Sequence, residues 1–145
     1  MKKFLKKKLG NEKGMTLIEL LAVIVILAII AAIAIPAISN IIENSRVGAV
    51  KSDAQMVLSA ANLYYTDDPT AASPVTVTTL LANDYLQDAG SLTAATSVAK
   101  ITGGNEITGQ GSNGVVVDFL NATNEEINAV PNNSPTGGTG VTITR

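Results

Sequence analysis

Glu19 is the side chain with the greatest chemical consequence in this sequence. It is the only charged residue between positions 17 and 35, a stretch of nineteen otherwise apolar residues. A carboxylate at the centre of a membrane helix costs roughly 2.5–3.5 kcal/mol on insertion scales. Three arrangements would relieve that cost. The side chain can snorkel to water near the membrane surface, pair with a cation at the start of its own chain, or pair with a cation from another chain. Little else offers reactive chemistry. With no histidine and no cysteine, the commonest general bases, thiolates and zinc ligands are missing, as is any disulfide. The serines do not sit in a G-x-S-x-G elbow, and the glycine-rich "GGTG" lacks a phosphate-binding lysine and reads as a turn. Asp67 with Asp68, and Glu125 with Glu126, are potential calcium ligands, but their spacing follows no calcium loop and they read as solvated acids. Asn121-Ala122-Thr123 matches a glycosylation sequon of the kind that arises by chance, and Tyr64, Tyr65 and Tyr85 read as core or groove contacts. The residues indicate no enzyme, no cofactor and no metal.

Charge is partitioned along the chain. Residues 1–14 hold six lysines (Lys2, Lys3, Lys6, Lys7, Lys8 and Lys13) against Glu12, a balance of +5, while residues 15–145 hold four bases and eleven acids, a balance of −7. Basic residues ahead of an apolar run stay in the cytoplasm, so the acidic remainder is the exported part. Its negative charge and few aromatics argue against direct nucleic-acid binding.

These residues need elements to place them. Residues 17–35 would form about 28 Å of helix, against a hydrocarbon core of about 30 Å. Ala32-Ile33-Ala34 also offers the small-residue site of an ordinary secretory signal. Helical patterning nevertheless continues. Apolar residues recur as Ile38, Ile42, Ala49, Val50, Ala54, Val57, Leu58, Ala61 and Tyr65, mostly three or four apart, with Gly48 a weak point. This predicts one helix from about residue 15 to 65, roughly 75 Å long, membrane-embedded over 15–36 and amphipathic over 37–66. Pro36 removes a donor and should kink or loosen it, and Asp67, Asp68 and Pro69 should end it.

Residues 67–145 read as a small β-rich head with a thin core of its own, which should lean on the helix. Residues 74–80 read as extended, with a short helix starting near Leu80 behind a Thr78 or Thr79 cap. Residues 97–102 read as a strand, Gly103-Gly104-Asn105 as a turn, 105–108 as a short return strand and 109–114 ("GQGSNG") as another turn. Residues 114–120 are the strongest strand, Thr123 and Glu126 fit a capping box, 131–140 are loop, and 141–145 are a last strand. The class is α+β, with three to four antiparallel strands packed on the second half of the long helix.

The segment Gly14-Met15-Thr16-Leu17-Ile18-Glu19-Leu20, behind a basic leader and ahead of a long apolar helix, resembles the class III signal of type IV pilins and pseudopilins. Pro36 falls where members of that family usually carry a proline. Met15 stands where phenylalanine is commoner, and the cysteine pair found near the C-terminus of many proteobacterial pilins is missing, which leans towards a Gram-positive pilin. The resemblance implies that a prepilin peptidase cuts on the cytoplasmic side after Gly14, removes the 1–14 leader, and methylates the new N-terminus at Met15. It implies a single-pass membrane protein before assembly, handled by inner-membrane pilus machinery with its ATPase. It further implies a helical homopolymer at the cell surface, in which Glu19 meets the Met15 ammonium of a neighbouring subunit. The expected function is structural: the pilin, as a major subunit, of an extracellular pilus serving adhesion, surface motility or biofilm formation. A pseudopilin of a competence or type II secretion system is the near alternative. A secreted or membrane-anchored domain processed by ordinary signal peptidase is the alternative from another class.

Overall fold

The computed structural model describes residues 16–133 and 140–145. The chain divides into two units, one ending at Ile38 and the other running from Ser39 to Arg145. Helix α1 (Leu17–Asp67) contributes to both. In the first unit every large apolar side chain of α1 is exposed, from Leu17 through Ile35. This is, among the described residues, the one helix long and apolar enough to cross a membrane. α1 runs unbroken through Pro36. Because proline has no N–H, the carbonyl of Ala32 lacks its usual helical partner there.

In the second unit the fold is the expected α+β arrangement, and it matches the pilin fold. Val47, Val50, Ala54, Val57, Leu58, Ala61 and Tyr65 form the buried stripe of α1. They close a core with Leu80, Val98, Ile107, Val117, Phe119, Ile127 and Ile143. The stripe begins later than periodicity predicts, since Ile38, Ile42 and Ala49 are exposed. The Tyr65 hydroxyl donates to the carbonyl of Val98 (2.8 Å) and accepts from the N–H of Val75 (2.9 Å), tying the end of α1 to two strands. Tyr64 packs edge-on against both Tyr65 and Tyr85, so these rings are structural contacts.

The sheet has five strands, not three or four: β1 (Val75–Thr76), β2 (Ser97–Ala99), β3 (Glu106–Ser112), β4 (Val116–Ala122) and β5 (Val141–Thr144), in that spatial order. The first three pairings are antiparallel, but β5 runs parallel to β4. A parallel pair needs a crossover, and helix α3 (Asn124–Ala129) lies in that connection with Ile127 buried. α3 starts at the capping box read from Thr123 and Glu126. Helix α2 (Val77–Ala82) starts earlier than expected, because Thr76 caps it by accepting from the N–H of Thr79 (3.2 Å). A further correction concerns "GQGSNG": its first four residues are not a turn but extend β3. Gly109 and Gly111 are there because neighbours come too close for a side chain. A Cβ at Gly111 would lie 2.4 Å from Val50 Cγ1, and one at Gly109 would lie 2.4 Å from Thr96 Oγ1.

Polar contacts fasten the loops to α1. Lys51 is buried, which pushes its ammonium pKa down, and its Nζ donates to the carbonyl of Val130 (2.5 Å) and to Asn132 Oδ1 (3.1 Å). Gly48, one turn earlier, leaves room for Asn132. Asp53 Oδ2 accepts from the Ser91 N–H (2.8 Å) and hydroxyl (2.6 Å). Gly90, at φ +58°, passes where a Cβ would meet that carboxylate. Removing a charged acceptor leaves both Ser91 donors unpaired, so Asp53→Ala should cost about 1–3 kcal/mol in denaturant unfolding of the detergent-solubilised chain.

α1 stops where expected. Asp68 Oδ1 accepts from the Thr70 hydroxyl (2.7 Å) and N–H (2.9 Å), and these bonds hold its carboxyl below the usual aspartate range. A depressed carboxylate pKa stabilises the fold above the ordinary value of about 3.9, and that contribution is lost as pH falls through the folded value. NMR titration should therefore place Asp68 below an unfolded-peptide aspartate, and Thr70→Val should move it back up.

Candidate assembly site at the start of the apolar helix

Of the four residues singled out by sequence, the structure places Glu19 and Pro36. Gly14 and Met15 lie outside the described residues. Glu19 is exposed in the first turn of α1, and its carboxylate is already engaged. Oε2 accepts from the Thr16 N–H (2.7 Å) and from the Thr16 hydroxyl (2.8 Å). The Thr16 hydroxyl in turn accepts from the Glu19 N–H (3.3 Å), and the Thr16 carbonyl accepts from the N–H groups of Glu19 and Leu20. This is a reciprocal capping box with Thr16 as cap and Glu19 three positions on.

Two effects follow. The helix start gains acceptors for N–H groups that have no partner within the helix, and the carboxylate lies at the positive end of the helix dipole. Glu19 is thus hydrogen-bonded by its own chain, with no ion-pair partner among the described residues. All its contacts use Oε2, which leaves Oε1 without a hydrogen bond among the described residues.

Thr16 is the functional residue that sequence reasoning passed over. Its signal was available, since Thr16-Leu17-Ile18-Glu19 has the same T-x-x-E spacing that was read correctly at Thr123–Glu126. At the latter box the Thr123 N–H donates to Glu126 Oε2 (2.7 Å), as does the Thr123 hydroxyl.

Residues 9–35 match the family model described as the prokaryotic N-terminal methylation motif. This segment is a class III prepilin signal. No match was found among curated proteins or among solved structures. The motif supports a type IV pilin or pseudopilin family protein, and it implies processing by a prepilin peptidase followed by pilus-type assembly. It points to a structural subunit instead of an enzyme. The prepilin signal and the apolar half of α1 together fit a membrane-anchored prepilin.

Three of the four acids read as potential calcium ligands make structural contacts. Asp67 accepts from the Tyr85 hydroxyl (2.9 Å), Asp68 holds Thr70, and Glu126 closes the α3 cap. Among the described residues no three acidic side chains converge as metal ligands would.

Proposed function

We propose that this chain is the major pilin of an extracellular type IV pilus, and that it polymerises through the apolar half of α1. The observation that carries this reading is the methylation motif, placed directly ahead of a helix whose apolar side chains are exposed on every side. A single copy leaves that surface uncovered. In the prepilin, lipid covers it; after extraction from the membrane, other copies must. Peptidase cleavage after Gly14 removes the lysine-rich leader and leaves an ammonium at Met15, which the same enzyme methylates. In the filament, the unshared Oε1 of Glu19 accepts that ammonium from a neighbouring copy. The pairing fixes the axial register of each added subunit, because an unpaired charge in a dry core is costly. Pro36, with no N–H to give, is where the helix can loosen under load. The pilus serves adhesion, surface motility or biofilm formation.

Electron microscopy of cells with and without this chain tests the reading. Loss of all pili on deletion, restored by the intact chain, is the expected result. Abundant pili in the deletion strain would instead point to a minor subunit or a pseudopilin.

A further inference from the structure

The turn between β3 and β4 holds a reactive pair that neither the fold nor assembly uses. Of the "GQGSNG" segment, residues 109–112 lie in β3, and Ser112 pairs with Val116 across the hairpin. Asn113, Gly114 and Val115 are left as the loop. Val115 is buried and anchors it, while Asn113 and Gly114 are exposed. Asn113 is the only asparagine in the chain that glycine follows.

That order matters chemically. The side-chain carbonyl carbon of an asparagine lies within reach of the next residue's backbone nitrogen, and closure gives a five-membered imide. A Cβ on that next residue would shield the nitrogen, and glycine has none. Both reacting groups are also unengaged. Among the described residues neither the Asn113 side chain nor the Gly114 N–H makes a hydrogen bond, and only the Asn113 N–H is held, by the Val115 carbonyl (3.1 Å). By contrast, Asn62, Asn105, Asn121, Asn128 and Asn132 all hold their side-chain amides in hydrogen bonds.

A cation stands over the pair. A Cβ at Gly114 would lie 2.8 Å from Nη1 and 3.0 Å from Cζ of Arg46, so this guanidinium of α1 rests against the glycine. Arg46 is exposed, and among the described residues no carboxylate pairs with it. A positive charge beside Gly114 favours loss of its amide proton and stabilises the oxyanion formed on attack.

We propose that Asn113-Gly114 is a self-modification site, and that its product is a carboxylate paired with Arg46. The Gly114 nitrogen gives its proton to water and bonds to Asn113 Cγ. The Cγ–Nδ2 bond breaks, and the nitrogen takes a proton and leaves as ammonia. A second water opens the imide at either carbonyl, leaving aspartate or isoaspartate at position 113. Water is the only co-reactant. Each conversion takes residues 15–145 from a balance of −7 to −8 and ties the hairpin to α1. Every group involved belongs to one chain, so the proposal does not depend on the filament reading.

The full chain in detergent, incubated in mildly alkaline buffer and then digested for peptide mass spectrometry, tests this. The peptide containing residue 113 should gain about 1 Da and split into two chromatographic forms, at least tenfold faster than any other asparagine among the described residues converts. Asn113→Gln should abolish the change, because the longer side chain would have to close a larger ring. Arg46→Gln should slow conversion at least threefold. If Arg46 merely held the loop still, its removal would speed conversion instead. The pairing is read from a double-mutant cycle. In the Arg46→Gln background, Asn113→Asp should raise the melting temperature by about 1–5 °C less than it does with Arg46 in place. An unchanged residue 113, after incubation long enough to convert an unstructured Asn-Gly peptide, overturns the site. So does conversion spread evenly over the asparagines. An Arg46→Gln rate equal to or above wild type overturns the role of Arg46, and equal effects of Asn113→Asp in both backgrounds overturn the pairing.

Discussion

Replacing Glu19 by glutamine should stop filament growth while export and the proposed cleavage after Gly14 continue. The variant separates the two roles that converge on this carboxylate. Glutamine keeps a carbonyl oxygen, so it can still accept from the Thr16 N–H and hydroxyl and preserve the capping box seen at the helix start. What it loses is the charge. If the neighbouring ammonium depends on Glu19 in a dry core, removing its partner costs about 3–5 kcal/mol per added subunit. That corresponds to a fall in the assembly constant of roughly two to four orders of magnitude. Glu19→Ala removes both roles, and its filament yield should be equally low. Wild-type filaments from Glu19→Gln together with defective ones from Glu19→Ala would show that Glu19 acts only as a cap. Sheared filaments quantified alongside the processed chain in membranes give both readings from one culture.

The second large effect lies in the head. Gly111→Val should lower its stability by about 3 kcal/mol and its melting temperature by about 10–20 °C. Gly111 is buried in β3, where Val50 of α1 packs against it. Even a methyl group there would lie 2.4 Å from Val50 Cγ1 and 2.9 Å from Leu92 Cδ2. Val50 is fully buried on a helix pinned by the core, and Leu92 pairs with Gly111 in an isolated bridge. Neither can retreat without opening the helix–sheet interface. Thermal unfolding followed by circular dichroism checks the value. The exposed Thr142→Val should change stability by less than about 0.5 kcal/mol.

That glycine also shows how far the fold could be read from sequence. The long helix, its stop at Asp67, the α3 capping box and the late β4 strand were legible, because each rests on local periodicity or on a side chain bonding its own backbone. β3 was not. Gly109 and Gly111 in "GQGSNG" look like turn residues when only neighbours in sequence are considered, and the reasons for them are Thr96 and, on a distant helix, Val50. β5 was found but its direction was not, since parallel pairing depends on the crossover through α3 and not on the alternation of Val141 and Ile143. Ile38, Ile42 and Ala49 were assigned to the buried face because they share helical spacing with it. They lie on another side of the helix, which becomes visible only once burial is known. At the assembly site, Glu19 was conspicuous as a charge among apolar residues. Thr16 is less conspicuous, because a carboxylate among apolar residues suggests a counter-ion, whereas a hydroxyl with an N–H meets the need in the isolated chain.

We propose above that this chain is a prepilin matured for polymerisation. N-terminal mass spectrometry of the protein recovered from the surface of its native cells tests it most directly. The expected result is a chain beginning at Met15 and heavier there by one methyl group. A chain beginning at Ile35, or one retaining Met1, would contradict it.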